Sequence, residues 1–451
     1  MEGNWGFVSD IMIISLLLGV AMIIKKSIRP LNRLLIPNSV LAGFLGMALG
    51  PSGLKLLDFS FDRLGTLVYH LMAIGFIAIA LKKRRTGSSR SAVNTGFFIA
   101  ISYAIQGIVG FSIAMILVYT FFPNLFVPFG LLLPLGFAQG PGQAYSMGTQ
   151  WEALGFTNGG TIGLTIATIG FLWAAFGGIA MLNIMVKRKK SIGIPIEKPK
   201  VVERVETIVK DYEFSDIDGM TIQVMSIGSV YLVTYLFLKY FTAWIGNFGT
   251  FGETFAQVLW GFHFVIGVIF AFSFRKGYDI IRKKKKIEYL NSFLLQRVAG
   301  IVFDYMVAAS IAAISLELIK EYIIPIFIIT TAGGIVTILY TIYFSKRIYR
   351  KAVLEHIVTF FGMHTGTIST GIALLREVDP QFESGTAEDM VIGSGLALFL
   401  GLPLMIIINI PILGFKLGKP IYYLYTLGAL ILYFGLFYIF WFLKVKRSNS
   451  K

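Results

Sequence analysis

Apolar runs of bilayer-spanning length, set apart by short basic loops, recur along the whole chain. Phe7–Ile24, Leu64–Leu81, Asn94–Phe122 and Thr161–Val186 fill the first part, with a shorter glycine- and alanine-rich run at Pro37–Leu49. Met220–Phe241, Phe255–Phe274, Leu294–Ile319, Ile323–Phe344, Val391–Phe415 and Ile421–Leu443 fill the second. Each long run reaches the length a helix needs to cross the hydrocarbon layer. No segment alternates polar and apolar residues with the period of two that a membrane barrel requires. The pattern predicts an all-α polytopic membrane protein.

Two stretches at membrane depth break this pattern. The first, Gly136-Phe-Ala-Gln-Gly-Pro-Gly-Gln-Ala-Tyr-Ser-Met-Gly148, lies between apolar flanks. Proline removes a donor and glycine adds backbone entropy, so helical geometry is expected to fail near Gly140–Gly142. The second, Gly362-Met-His-Thr-Gly-Thr-Ile-Ser-Thr-Gly371, lies within Val353–Val378. Irregular backbone survives at that depth only where protein or a water-filled cavity surrounds it. Paired broken segments in two halves of a chain point to a transporter's binding site.

Charge orients the runs. Lys25, Lys26, Arg29 and Arg33 follow the first run, Lys82–Arg85 and Arg90 the third, and Lys187–Lys190 close the first half. Basic loops stay on the cytoplasmic side, so the N-terminus is expected outside and the C-terminus inside. Five spans then end inside only if Pro123–Gly155 dips in and returns to the outer face. The second half repeats the plan upside down, with Val353–Val378 approached from the inner face. At an offset of 226 residues Gly136, Gly140 and Asn183 fall on Gly362, Gly366 and Asn409. At an offset of 234, Leu67–His70 falls on Ile301–Asp304. The expected plan is two inverted repeats of five spans, each with a glycine-rich re-entrant segment, plus one extra C-terminal span. Residues 1–190 form the first repeat, with its re-entrant segment at 123–155. Residues 191–219 form a cytoplasmic linker with a short amphipathic helix at Val201–Val209. Residues 220–418 form the second repeat, with its re-entrant segment at 353–385, and 419–451 the added span and basic tail.

Composition fits this picture. Of 451 residues 56% are hydrophobic and only 14% charged, against about a quarter charged in soluble domains. The net charge of +16 sits mostly in short loops, so it indicates topology rather than nucleic acid. The absence of cysteine excludes disulfides and thiolate chemistry. Met1–Asp10 carries no basic residue, so the first run reads as a retained span rather than a cleaved signal.

With these residues laid out, the chain resembles the bacterial sodium/glutamate symporter family over roughly Asn4–Gly418. The resemblance rests on the Gly136–Gly148 and Gly362–Gly371 segments, the span order around them and the central linker. Family re-entrant segments often read Gly-Gly-x-x-Gly. Here Gly136-Phe-Ala-Gln-Gly140 and Gly362-Met-His-Thr-Gly366 lack the paired glycine, and the last span is extra, which suggests a divergent branch. The resemblance implies Na⁺-coupled uptake of glutamate or a similar acidic amino acid, a homodimer in the bacterial inner membrane, and an elevator-like movement. Na⁺ would enter as the co-transported ion, and no resident cofactor is expected.

A break near Gly140–Gly142 exposes a half-helix N-terminus whose N–H groups and dipole favour an anion. Substrate carboxylates are therefore assigned to the backbone at Gly140, Gly142 and Gly366 and to Gln143, Ser146, Thr367, Ser369 and Thr370. Thr149 is assigned with them, Arg376 is a candidate for a distal carboxylate, and Glu152 is its loose counterpart in the first half. Small residues that merely let helices approach are the competing explanation. Asn183 and Asn409 either bridge helices or bind substrate. Asp304 is an acid inside a span, costing about 2.5–3.5 kcal/mol on insertion scales. It is either a Na⁺ ligand, with carbonyls at Gly140 and Gly366, or a structural partner of a group such as His70. His70 and His364 are titratable but more commonly structural. A carboxylate or other organic anion, coupled to Na⁺ or H⁺, is the alternative cargo. No His-Glu-x-x-His, Gly-x-Ser-x-Gly or Walker sequence occurs, which disfavours an intramembrane enzyme and excludes an ATP-driven pump. A channel remains a further reading.

Overall fold

The computed structural model describes residues 5–449 apart from 29–35, 83–89, 192–217, 249–251, 253–255, 257–258, 286–288, 316, 318–319 and 380–382. The linker at 191–219 and its expected helix at Val201–Val209 thus fall almost entirely outside the described residues.

Helices follow in order: α1 Gly6–Ser27, α2 Asn38–Leu49, α3 Phe61–Ala80 and α4 Arg90–Thr120. Next come α5 Val127–Gln139, α6 Pro141–Glu152, α7 Gly159–Leu172 and α8 Gly178–Ser191. The second part holds α9 Gly219–Gly246, α10 His263–Lys285, α11 Ser292–Ala312 and α12 Ile323–Ile348. After them run α13 Val353–Thr365, α14 Ile368–Val378, α15 Thr386–Leu400, α16 Leu402–Ile407, α17 Ile410–Lys416 and α18 Ile421–Asn449. Among the described residues, eight helices, or nine if one bent pair counts as a span, are long and apolar enough to cross a membrane. The chain is a multi-pass helical membrane protein.

One expectation about spans changes. The run Val391–Phe415 is not one helix: it bends by 46° between Thr386–Ala397 and Leu402–Lys416. Gly401 precedes Pro403, and Asn409 precedes Pro411. Each proline lacks the donor that would carry the helix across, and hydropathy alone does not register that. Within the run read as Phe255–Phe274, whose first residues are only partly described, one helix starts at His263 and continues past it to Lys285.

The chain divides into two compact units. The larger holds residues 1–68, 87–194 and 307–451. Here α2 meets the end of α11 closely: a Cβ on Gly43 would lie 2.6 Å from Ile311 Cβ and 3.0 Å from the Ala308 carbonyl. Asp10 of α1 is buried and paired with Arg63 of α3, Nε to Oδ2 at 2.7 Å, which ties the first span to the third. Helix α4 lines α5, with Gly110 and Gly130 so near that a Cβ on either would strike the other's carbonyl.

Both broken segments in this unit fold as helical hairpins. At the open end of the first, the Phe126 ring lies 6.0 Å from Trp151 and 4.7 Å from Phe156, so α5 enters where α6 leaves. In the second, Gly371 of α14 lies against the Thr359 carbonyl and Met363 of α13. Val353 and Val378, its two ends, pack on one cluster of Met181, Ile357, Val358, Phe361 and Leu374. The base is closed by His356, whose Nε2 lies 3.2 Å from Asp389 Oδ2 of α15.

The smaller unit holds residues 69–86 and 195–306. Its helices are the end of α3, α9, α10 and most of α11. Helix α9 starts where the Asp218 carboxylate accepts the N–H groups of Met220 and Thr221, an N-cap that satisfies first-turn donors. Gly75 and Gly267 let the Phe303 and Ile77 side chains approach, and Gln223 Nε2 donates to the Tyr289 carbonyl at 2.9 Å.

Candidate functional site

The larger unit brings the two hairpin tips together. Gly140 sits at φ 99°, ψ 174°, a conformation essentially restricted to glycine. Pro141 then opens α6 with its φ already fixed for a helix. The second break falls at Gly366 and Thr367. A Cβ on Gly140 would lie 3.7 Å from Thr367 Cγ2, so positions far apart in sequence touch. Helix α7 runs past both tips: Gly170 abuts the Thr365 carbonyl and the Phe137 ring, and Phe171 lies beside Gly366.

The tips differ in hydrogen bonding. Helix α6 has no side-chain cap, so the N–H groups of Gly142 and Gln143 receive nothing from the residue before them. Helix α14 is closed by a capping box between Thr367 and Thr370. Thr370 Oγ1 accepts the Thr367 N–H at 2.8 Å and lies 2.7 Å from the Gly362 carbonyl. The hydroxyls of Thr367 and Thr370, assigned to substrate from sequence, are thus engaged in holding the turn. Of the two tips, the first has the N-terminal turn without a side-chain cap.

Around this contact lie buried polar atoms without a partner among the described residues: both amide atoms of Gln139, Oε1 of Gln143 and of Gln106, Oγ1 of Thr168, and both ring nitrogens of His364. Gln106 of α4 donates from Nε2 to the His364 carbonyl and to Thr337 Oγ1, each at 2.9 Å. The His364 ring is fully buried among Phe98, Phe360 and Tyr340, with centroids 5.1, 5.7 and 5.9 Å away. Each unsatisfied buried group costs about 1–3 kcal/mol, and native interiors hold few of them. Gathered beside two helix breaks, they form a polar lining that an occupant or water would complete.

The remaining sequence candidates are scattered. Ser146 is buried on α6. The side chain of Ser369 lies outside the described residues. Asn183 is exposed on α8. Asn409 donates to the Met405 carbonyl at 2.8 Å within its own turn, while its Oδ1 is orphaned. Arg376 is exposed in the last turn of α14. Glu152 accepts the Gly160 N–H at 2.9 Å, placing a negative charge at the start of α7. Asp304 belongs to the smaller unit and is exposed on α11. His70, its proposed partner, has Nδ1 2.6 Å from the Tyr231 hydroxyl. Among the described residues no group of three or more His, Cys, Asp or Glu could hold a metal ion. Sequence reasoning passed over Gln106, Gln139 and Thr168. Gln139 was detectable as the amide directly before the break, whereas Gln106 is an isolated polar residue in an apolar run.

No protein-family model matches the chain, and neither does any curated protein. Among solved structures, the chain is similar to the sodium proton antiporter MjNhaP1 from Methanocaldococcus jannaschii. That similarity spans 94% of this chain and all of the other, with 17% identity and a TM-score of 0.41. The two hairpin tips and the orphaned polar atoms around them remain the feature of this membrane protein on which a function is built.

Proposed function

We propose that the protein is a secondary transporter that takes up an acidic amino acid such as glutamate together with Na⁺, by alternating access. The observation that carries this reading is the contact of two hairpin tips inside a lining of orphaned amides. The uncapped first turn of α6 offers N–H groups and a positive dipole end to a carboxylate. The orphaned oxygens of Gln106, Gln139 and Gln143 are neutral, and hard cations take oxygen ligands of this kind. These three amides carry no proton to exchange, which suits Na⁺ as the coupling ion, although the His364 ring in the same lining is titratable. Energetics points the same way. Importing one negative charge against an inside-negative potential costs about 2.3 kcal/mol per 100 mV. One Na⁺ cancels that term, and a tenfold Na⁺ gradient leaves about 1.4 kcal/mol, or tenfold accumulation.

The same reading includes the bacterial inner membrane, an outside N-terminus, a homodimer and an inverted-repeat origin for the two hairpins. Labelled glutamate uptake into liposomes containing the purified protein tests it, with Na⁺, K⁺ or a proton gradient imposed in turn. Uptake should require inward Na⁺ and be lost in Gln143→Ala. Uptake driven equally by K⁺ or protons refutes Na⁺ coupling, and full affinity in Gln143→Ala refutes the site.

A further inference from the structure

The smaller unit carries a cationic patch that this transport reading does not use. It lies where the end of α3 meets the first turns of α11. Gly75 abuts the Phe303 ring, and seven residues further along α3 the Lys82 ammonium donates to Gln296 Oε1, seven residues back along α11. The two helices therefore run antiparallel. An ammonium has three N–H donors, and among the described residues this neutral amide oxygen is the one partner that Lys82 has. The side chain is half-buried, and burial lowers its pKa from the ordinary lysine value, which marks a cation short of counter-charge. Arg275 of α10 stands beside it, donating to the Leu81 carbonyl at 3.2 Å, but Arg275 has its own acid, Asp279, at 3.1 Å. Arg297 follows Gln296 on α11, with its guanidinium 5.1 Å from the Phe293 ring centroid, and no acid among the described residues pairs with it. The insertion rule accounts for basic residues at this level of the chain. It does not account for Lys82 turning onto a neutral amide where burial opposes its charge. Beyond the patch α11 turns an apolar face outward: Phe293 and Ile301 are exposed, and a Cβ on Gly300 would meet nothing within 4 Å.

We propose that Lys82 and Arg297 form a binding site for the phosphate of an anionic phospholipid, whose acyl chains lie along Phe293, Gly300 and Ile301. A guanidinium fork suits phosphate oxygens and an ammonium supplies a point charge beside it. Stacking on Phe293 holds the guanidinium in place. Free phosphate would meet the two cations and leave the apolar face bare, whereas a lipid covers both. Each basic residue at an anionic lipid surface contributes about fivefold in affinity.

Native mass spectrometry of the purified full chain, titrated with phosphatidylglycerol or phosphatidylcholine, reads the affinity for the first bound lipid. Phosphatidylglycerol should bind at least about tenfold more tightly, and Lys82→Gln and Arg297→Gln should each lower that preference about fivefold. If Lys82→Gln fails to fold, Arg297→Gln, an exposed position on α11, carries the test alone. Arg347→Gln is the control, because Arg347 is an exposed basic residue at another helix end, stacked on Tyr343 at 3.5 Å; it should leave the preference unchanged. Equal affinity for the two lipids overturns the proposal, and so does a loss in Arg347→Gln as large as in Arg297→Gln, since any basic residue at the membrane surface would then serve. Release of the lipid by millimolar inorganic phosphate would assign the patch to a free anion and overturn it as well. None of these readouts depends on transport.

Discussion

At the scale of single residues, two glycines at the tips fail for different reasons when substituted. Gly140→Ala has room, since its Cβ would meet only Thr367 Cγ2 at 3.7 Å, yet it forces an L residue to φ 99°. The expected cost is about 1–3 kcal/mol of backbone strain, read as a lower melting temperature in detergent. Gly366 sits at φ −145°, outside the left-handed region, and its Cβ would lie 2.5 Å from Thr370 Oγ1. Gly366→Ala should therefore act through the cap and be matched by Thr370→Val, at about 1 kcal/mol. A Gly366→Ala effect that persists undiminished in the Thr370→Val background would show that the cap is not its cause. The orphaned amides predict the opposite sign. Removing a buried polar group that has no partner relieves a cost, so Gln139→Leu should raise the melting temperature while abolishing substrate uptake. A destabilised but fully active variant would mean that Gln139 packs the fold rather than the cargo.

At the scale of elements, the close approach of α6 to α7 fixes where the first tip can sit. A Cβ on Gly163 would strike the Ala144 carbonyl, and one on Gly148 would strike that of Gly159. These are main-chain atoms that cannot rotate away. Gly163→Ala should push α6 off α7, lower stability and displace Gly142 and Gln143. Gly428→Ala on α18, with nothing within 4 Å, should instead stabilise by about 0.5–1 kcal/mol through lost backbone entropy. Equal effects of the two in a thermal melt would rule out the close contact. Much of this level was legible in the sequence, because glycine and proline act locally: the break expected near Gly140–Gly142 lies at Gly140. The capping box was missed because Thr367 and Thr370 read equally well as free hydroxyls. The bend after Leu400 was missed because Gly401, Pro403 and Pro411 are too few to lower the hydropathy of an otherwise apolar run. The partners of Gln106 lie 231 and 258 residues away, and no local pattern encodes them.

At the scale of the whole molecule, the reading depends on residues from opposite halves of the chain meeting at the tips. The natural absence of cysteine allows this to be measured directly. Gly140→Cys with Thr367→Cys would provide the only two thiols, at positions whose side chains approach to about the separation a disulfide requires. With a protease site inserted in the 191–219 linker, cleavage yields two fragments that separate on a denaturing gel unless the thiols are joined. Oxidation should hold the fragments together in the double variant and in neither single one, and reduction should release them. The strain expected at Gly140 acts equally on the single variant, which makes that variant the control for folding. If substrate completes the lining around the tips, as the orphaned amides of Gln139 and Gln143 imply, glutamate with Na⁺ should slow the reaction and K⁺ should not. Fragments that never join under oxidation would place the tips apart and remove the basis for a shared site. Joining that is indifferent to glutamate and Na⁺ would leave the fold intact but assign the cargo elsewhere.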